Sequence, residues 1–160
     1  MQSVNSELKR LTLAEIVLIG AQNFVESDLP DSNKLSQDDK NKYVQKMVLT
    51  AASLANQDNS EGLTIKNTVF ICNYHEEKNM AYVEAFNADT PSHFMDNIMH
   101  FCQKMKTDRG LQYLVFLGDD MTLRIVKRIA KTPIARGWGV RIEQSSNNAK
   151  LYRFIVSLGA

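Results

Sequence analysis

The 160-residue sequence has little of what builds special scaffolds, with two cysteines, three prolines and one tryptophan. So few cysteines exclude a disulfide scaffold, and no CxxC or paired Cys/His spacing predicts a structural zinc site. No apolar run approaches the roughly 18 residues of a membrane-spanning helix. The stretch MQSVNSELKR also lacks the pattern of a cleavable secretion signal. We therefore expect a cytoplasmic protein that does not engage a membrane.

What remains is the composition of an ordinary globular protein, with 44% apolar and 23% charged residues. A chain of this length can bury one core of normal size. We predict a single domain over residues 1–160, with an N-terminal helical pair in 1–57 and a sheet-containing core in 63–160.

The net charge of +1 is unevenly distributed. Residues 1–120 contain 11 Lys/Arg and 17 Asp/Glu, whereas residues 121–160 contain 8 Lys/Arg and one acid, Glu143. The two parts thus carry −6 and +7. Such asymmetry indicates an anionic partner, or alternatively an attraction between the two parts within the monomer or across a homodimer.

Two helices are predicted before residue 57. Thr12 and Glu15 have the spacing of a capping box, and apolar residues follow at helical intervals to about residue 26. Ser36 precedes a second amphipathic stretch that ends near residue 56. The pair is typical of a helical hairpin.

From residue 63 the pattern changes to strands and two further helices. TIKNTVFICNY and MAYVEAF are rich in β-branched and aromatic residues and flank a polar turn, HEEKN. Thr90 and Pro91 begin a helix that Gly110 ends. LQYLVFL predicts a central strand covered on both faces, a basic helix follows over about 120–132, and GVRIEQ and KLYRFIVSL predict a final hairpin.

The fold class is accordingly α/β (α+β), an N-terminal helical pair followed by ββαβαββ with a mixed sheet of about five strands. Right-handed crossovers place the two later helices on one sheet face, and the N-terminal pair covers the other. A winged-helix reading of the basic helix and last hairpin is disfavoured, because a strand replaces the short helix expected before a recognition helix.

Gly118, Asp119 and Asp120 follow the central strand. Adjacent acids after an apolar strand are typical of two-metal phosphotransfer sites, as in nucleotide polymerases. Those enzymes are far larger, and here the acids precede a helix. We therefore interpret one of the two aspartates as a helix cap, and keep a small metal-dependent nuclease or phosphotransfer enzyme using Asp119 as a third hypothesis.

The basic helix carries the leading functional prediction. At 100° per residue its cations fall within an arc of about 100°, opposite its apolar residues. A row of cations can neutralise phosphates, and a tryptophan can stack on a base. The predicted contact residues for nucleic acid or an acidic protein surface are Arg124, Lys127, Arg128, Lys131, Arg136, Trp138 and Arg141.

We therefore predict a non-enzymatic binding protein, most simply one for nucleic acid, with no catalytic residue, no metal and no cofactor. The alternative is a protein–protein interaction module, an adaptor, chaperone or inhibitor that dimerises or binds an acidic partner. His75, His93 and His100 lie at spacings unsuited to a helical zinc pair or a Cys–His pair. Phosphate-binding glycine loops and nucleophile elbows are also missing from the sequence.

Overall fold

A computed structural model describes residues 12–28, 32–118, 120–144 and 152–159. Short π-helical and 3₁₀ turns follow the first helix and join the second and third strands. The helices are α1 (Leu13–Asn23), α2 (Gln37–Ala55), α3 (Pro91–Arg109) and α4 (Asp120–Ile129). The strands are β1 (Ser60–Ile65), β2 (Thr68–His75), β3 (Met80–Asn87), β4 (Tyr113–Gly118), β5 (Gly139–Gln144) and β6 (Tyr152–Ser157).

The helix boundaries follow from local chemistry, as predicted. The hydroxyls of Thr12, Ser36 and Thr90 accept hydrogen bonds from the backbone N–H groups three residues later, at 3.2, 3.1 and 3.5 Å. Helix α3 ends at Gly110, whose φ of 64° lies in the left-handed region that glycine adopts without strain.

The described strands form one mixed sheet in the order β1-β2-β3-β4-β6-β5. Only β3 and β4 pair in parallel, and the other neighbours are antiparallel. The mixed α/β class predicted from the sequence is confirmed. No helix of the described residues is long and apolar enough to cross a membrane.

The predicted count of five strands is one too low. The stretch read as one strand, TIKNTVFICNY, is a tight hairpin in which β1 turns into β2 at Lys66 and Asn67. Lys66 adopts a φ of 52°, a left-handed conformation that a lysine seldom shows and that no composition rule signals.

Two cores lie on opposite faces of the sheet. Helices α3 and α4 cover what we call the first face. Aromatic side chains, among them Phe70, Phe101 and Phe154, are fully buried there. Helices α1 and α2 cover part of the second face, around Ile16, Val69 and Ile71. The predicted placement of the two helical pairs is confirmed.

The expectation that β4 is covered on both faces is wrong. Leu114 and Phe116 are buried against α3 and α4, but Tyr113 and Leu117 on the second face are 42% and 56% exposed. Helices α1 and α2 lie over β1, β2 and β3, so they leave the second face open over β4, β6 and β5.

Candidate functional site

The parallel strands β3 and β4 separate before they end. Their pairing runs from Met80 beside Tyr113 to Val83 beside Phe116 and goes no further. Strand β3 continues to Asn87 and stays paired with β2, whereas β4 continues to Gly118 and stays paired with β6. The sheet therefore opens between its two central strands, on the side from which α3 and α4 begin.

Among the described strands, the opening leaves backbone groups without a ladder partner. The carbonyl of Asn79 accepts hydrogen bonds from the N–H groups of Gln112 and Tyr113, at 2.8 and 3.2 Å, so odd-numbered residues of β3 direct their backbone groups towards β4. Ala85 is the first odd-numbered residue beyond the parallel pairing. Its N–H and C=O therefore face the gap, where an extended ligand with amide groups can pair with them.

Glu84 lies where the strands separate. Alternation along β3 places it on the second face with Met80 and Tyr82, because Ala81 and Val83 belong to the core of the first face. Burial raises the pKa of its carboxyl group. No charged or hydrogen-bonding partner of Glu84 is recorded within the described residues, so the carboxyl group is positioned to take up a proton.

On the same face as Glu84, the sheet forms an open concavity of about 530 Å³ whose lining residues from β3 are Met80 and Tyr82. Sheet register arranges its floor in rows that run across β3, β4, β6 and β5. One row holds Met80, Tyr113, Ser157 and Gly139, and the next holds Tyr82, Val115, Ile155 and Arg141. Arg153, beside Leu117, belongs to the row after these. The floor is thus mostly apolar with a cationic edge.

The residues of the predicted basic strip do not share one surface. Arg124, Lys127, Arg128 and Lys131 are exposed on or just after α4, over the first face of the sheet. Trp138 packs against the core of the first face instead of standing free. Arg141 points to the second face, since its neighbour Val140 packs on that core, and its Nη2 lies 3.0 Å from a carboxylate oxygen of Glu143.

The predicted roles of the two aspartates after β4 are not tested by the described residues. Asp120 is the first residue of α4, and Asp119 lies outside the described residues, so the predicted capping role stays a prediction. No group of three or more His, Cys, Asp or Glu side chains in the described ranges is placed to hold a metal ion. His93 and His100 are exposed on α3.

Comparison with known proteins supplies the fold relationship. The sequence matches no family model, and no curated protein matches it. Among solved structures, a spermidine N-acetyltransferase chimera of SpeG from Vibrio cholerae and hSSAT has 9% identity and a TM-score of 0.51, with 92% of this chain and 91% of that chain covered. Tetrahymena GCN5 has 16% identity and a TM-score of 0.46, with 93% and 92% covered. A GNAT-family acetyltransferase from Streptococcus pneumoniae has 12% identity and a TM-score of 0.40, with 91% and 93% covered.

This chain has a GNAT-like fold. The finding overturns the prediction of a non-enzymatic nucleic-acid-binding protein, together with its alternatives of an interaction module and a metal-dependent nuclease, because the structure matched at a TM-score of 0.51 is that of an acetyltransferase. The expectation that the chain is not an enzyme is wrong for the same reason. A one-sided basic helix is compatible with many functions, so by itself it does not indicate nucleic-acid binding.

The site residues that the sequence reading missed are Glu84, Tyr82, Tyr113 and Arg153. One local signal was available, since Glu84 is a lone acid inside the apolar strand MAYVEAF. Its neighbours across the sheet come from chain segments far away in sequence. The register that places them on one face depends on tertiary pairing.

Proposed function

We propose that this protein is an acyltransferase that moves an acetyl group from a thioester to an amine. The observation that carries the proposal is the separation of β3 and β4 with Glu84 at its edge. The GNAT-like fold, shared with an enzyme that acts on spermidine, supports an amine as the acceptor.

Glu84 serves as the general base in this proposal. An amine at neutral pH is largely an ammonium ion and attacks a carbonyl only after losing a proton. A carboxylate whose pKa is raised by burial accepts that proton more readily than an exposed one. The amine nitrogen attacks the thioester carbonyl carbon, a C–N bond forms and the C–S bond breaks. The leaving thiolate takes up a proton equivalent to the one that the new amide nitrogen loses, and Glu84 passes the proton taken from the ammonium ion to solvent.

The gap between the strands positions the donor. The backbone N–H and C=O of Ala85 that face β4 hydrogen-bond with the amide groups of a pantetheine arm. The arm is thus bound in the way an extended peptide adds to a sheet. The acceptor occupies the concavity on the second face, where Tyr82 and Tyr113 offer ring faces on which a cationic amine can rest.

Coenzyme A, the usual carrier of acetyl groups, also has a diphosphate. The N-terminus of α3 opens at the gap and would be the general place for such an anion. Residues 84–97 contain no lysine or arginine, and Asp89 lies immediately before the helix cap. The residues at this end of α3 therefore do not fit a diphosphate, and no step of the proposed reaction depends on one.

Thiol release tests the proposal. The protein is incubated with acetyl-coenzyme A or S-acetylpantetheine and a panel of amines that includes spermidine, and the free thiol is followed with time. We expect amine-dependent release that Glu84→Gln lowers by about 10²–10⁴-fold, the typical contribution of a general base. Glu76→Gln, an exposed carboxyl group in the β2–β3 connection, serves as the matched control and retains full activity.

The pH profile separates a base from a merely structural carboxylate. The raised pKa of Glu84 shifts the acidic limb of kcat/KM above the ordinary value of 4.5, and Glu84→Gln abolishes that limb. Absence of amine-dependent thiol release with both donors, across the whole panel, contradicts the proposed activity.

A further inference from the structure

Hydrogen bonds hold the loop between β3 and α3 to the β1–β2 turn and to the end of β3. The N–H of Ala88 donates to the carbonyl of Asn67 at 2.8 Å, and the N–H of Asp89 donates to Oδ1 of Asn87 at 3.0 Å. In the first turn of α3, Thr90 Oγ1 accepts from the N–H of His93 at 3.5 Å. The N–H groups of Ala88, Asp89 and His93 are therefore already engaged and are not free to bind an anion.

A fixed negative charge, that of Asp89, lies immediately before the N-cap residue of α3. The Asp89 carboxylate accepts hydrogen bonds from the backbone N–H and Nδ2 of Asn67, both at 3.2 Å, and from Nδ2 of Asn97 at 3.0 Å. Asn97 and Asn67 are 0% and 5% exposed. The carboxylate is therefore part of a built cluster and not a mobile surface group.

Asn67 and Asn97 donate hydrogen bonds to Asp89, while their own side-chain oxygens stay without one in the described part of the chain. Their Oδ1 atoms are buried and have no hydrogen-bond partner within the described residues. Rotating either amide would bring oxygen against the Asp89 carboxylate, so the observed orientation is set by that negative charge. Burying an unpaired amide oxygen costs roughly 1–3 kcal/mol. The cluster is organised around Asp89.

Within the described residues, no lysine or arginine is recorded in an ion pair with Asp89 that would compensate its charge for an incoming anion. Lys66, beside Asn67 in the β1–β2 turn, is exposed and has no recorded ion pair with Asp89 in the described chain. Helix α3 carries no lysine or arginine in its first two turns. A diphosphate at this helix start would meet Asp89 as a like charge in a partly dry setting.

From these contacts we infer that this protein recognises its acyl donor through a pantetheine-type thioester arm alone and has no diphosphate site at the N-terminus of α3. The inference rests on the proposed acyl transfer and specifies the donor for the same site. The gap between β3 and β4 still accepts the arm, because the unpaired backbone groups of Ala85 are uncharged and lie before the Asp89 cluster.

Titration calorimetry with pantetheine and coenzyme A on the unmodified protein tests this directly. We expect the two dissociation constants to agree within about 3-fold, because the nucleotide half contributes no favourable contact. Tighter binding of coenzyme A by about 30-fold or more overturns the inference and leaves the proposed acyl transfer standing. Binding of neither compound overturns both.

A variant locates the cause. Asp89→Asn removes the charge at constant size, and we expect coenzyme A to bind about 10-fold more tightly than to the unmodified protein while pantetheine is unaffected. Asp96→Asn in the same helix is the matched control and leaves both constants unchanged. Equal effects of the two substitutions on coenzyme A contradict a specific role for Asp89. If Asp89→Asn does not fold, the comparison of the two ligands on the unmodified protein decides.

Discussion

The side chain of Glu84 loses part of its hydration in the fold, and no recorded partner in the described chain replaces it. Its pKa is raised because burial penalises the charged carboxylate. The folded state therefore binds this proton more tightly than the unfolded chain does. It follows that the free energy of unfolding falls as pH rises from the ordinary value of 4.5 through the raised pKa.

Glu84→Gln should accordingly stabilise the protein at neutral pH. We expect the free energy of unfolding to rise at pH 7, with a smaller gain at pH 4 where both states hold the proton. Urea denaturation at the two pH values measures this. The exposed control Glu76→Gln shows no such pH-dependent difference, and a gain that is equal at both pH values would refute the assignment.

Tyr74 illustrates a buried polar group that is fully engaged. Its hydroxyl donates to Oε1 of Glu61 at 2.5 Å, the same oxygen that accepts from Nη2 of Arg109 at 2.6 Å. The Arg109 guanidinium also lies 4.0 Å from the centre of the Tyr74 ring. Burial, followed by the hydrogen bond to Glu61, raises the pKa of Tyr74. This group ties β1 and β2 to the end of α3.

Tyr74→Phe should therefore be costly although it removes a single atom. Loss of a hydrogen bond to a charged group lowers the free energy of unfolding by about 1.5–3 kcal/mol. Tyr43→Phe on the exposed side of α2 is the control, with an expected change within about 0.5 kcal/mol. Chemical denaturation of both variants measures the difference, and similar small losses would show that the Glu61 contact contributes little.

Among the secondary-structure elements, the starts of the helices could be predicted well from the sequence, whereas the β1–β2 hairpin could not. Thr12, Ser36 and Thr90 each cap a helix through a bond three residues away, so a local pattern suffices. The β1–β2 hairpin escaped because its turn uses Lys66 and Asn67, with no glycine or proline to mark it.

Gly20 determines how closely α1 approaches β3. A Cβ atom at this position would lie 2.8 Å from the backbone nitrogen of Asn87 and 3.0 Å from the carbonyl carbon of Phe86. Backbone atoms cannot rotate away as a side chain can. The helix therefore rests directly on the strand that carries Glu84.

Gly20→Ala should destabilise the protein even though alanine favours helices by about 1 kcal/mol. Displacing α1 from β3 costs typically 1–3 kcal/mol, so we expect a net loss in the free energy of unfolding. Gln22→Ala, exposed in the same helix, isolates the propensity gain and should not destabilise. A stabilised Gly20→Ala variant contradicts the close approach.

At the scale of the whole molecule, the ion pairs recorded for the described residues do not join the acidic part to the basic part. Within the described ranges the recorded ion pair of residues 121–160 is that of Arg141 with Glu143, inside β5. The other recorded pairs involving Lys or Arg lie within residues 12–118. The exposed cations of α4 thus remain a predicted contact surface, and no ion pair of theirs is recorded among the described residues.

The reactivity of the two cysteines measures whether the core of the first face opens as one cooperative unit. Cys72 on β2 and Cys102 on α3 are both buried in the core of the first face, and burial raises the pKa of each thiol to about 12. At pH 8 we expect neither thiol to react with a thiol reagent in native protein, and both to react promptly in concentrated urea. Slow native-state labelling should modify the two thiols at equal rates, because they open together. Rapid labelling of one thiol alone contradicts a single cooperative core.

The sequence by itself determined the elements other than the β1–β2 hairpin, because caps, apolar periodicity and strand composition act over a few residues. It also determined the α/β class, since the order of those elements restricts how they can pack. Only the tertiary structure decided the site. The gap between β3 and β4, the exposed second face and the cluster around Asp89 join residues from separate segments, and their register arises from pairing that no short stretch encodes.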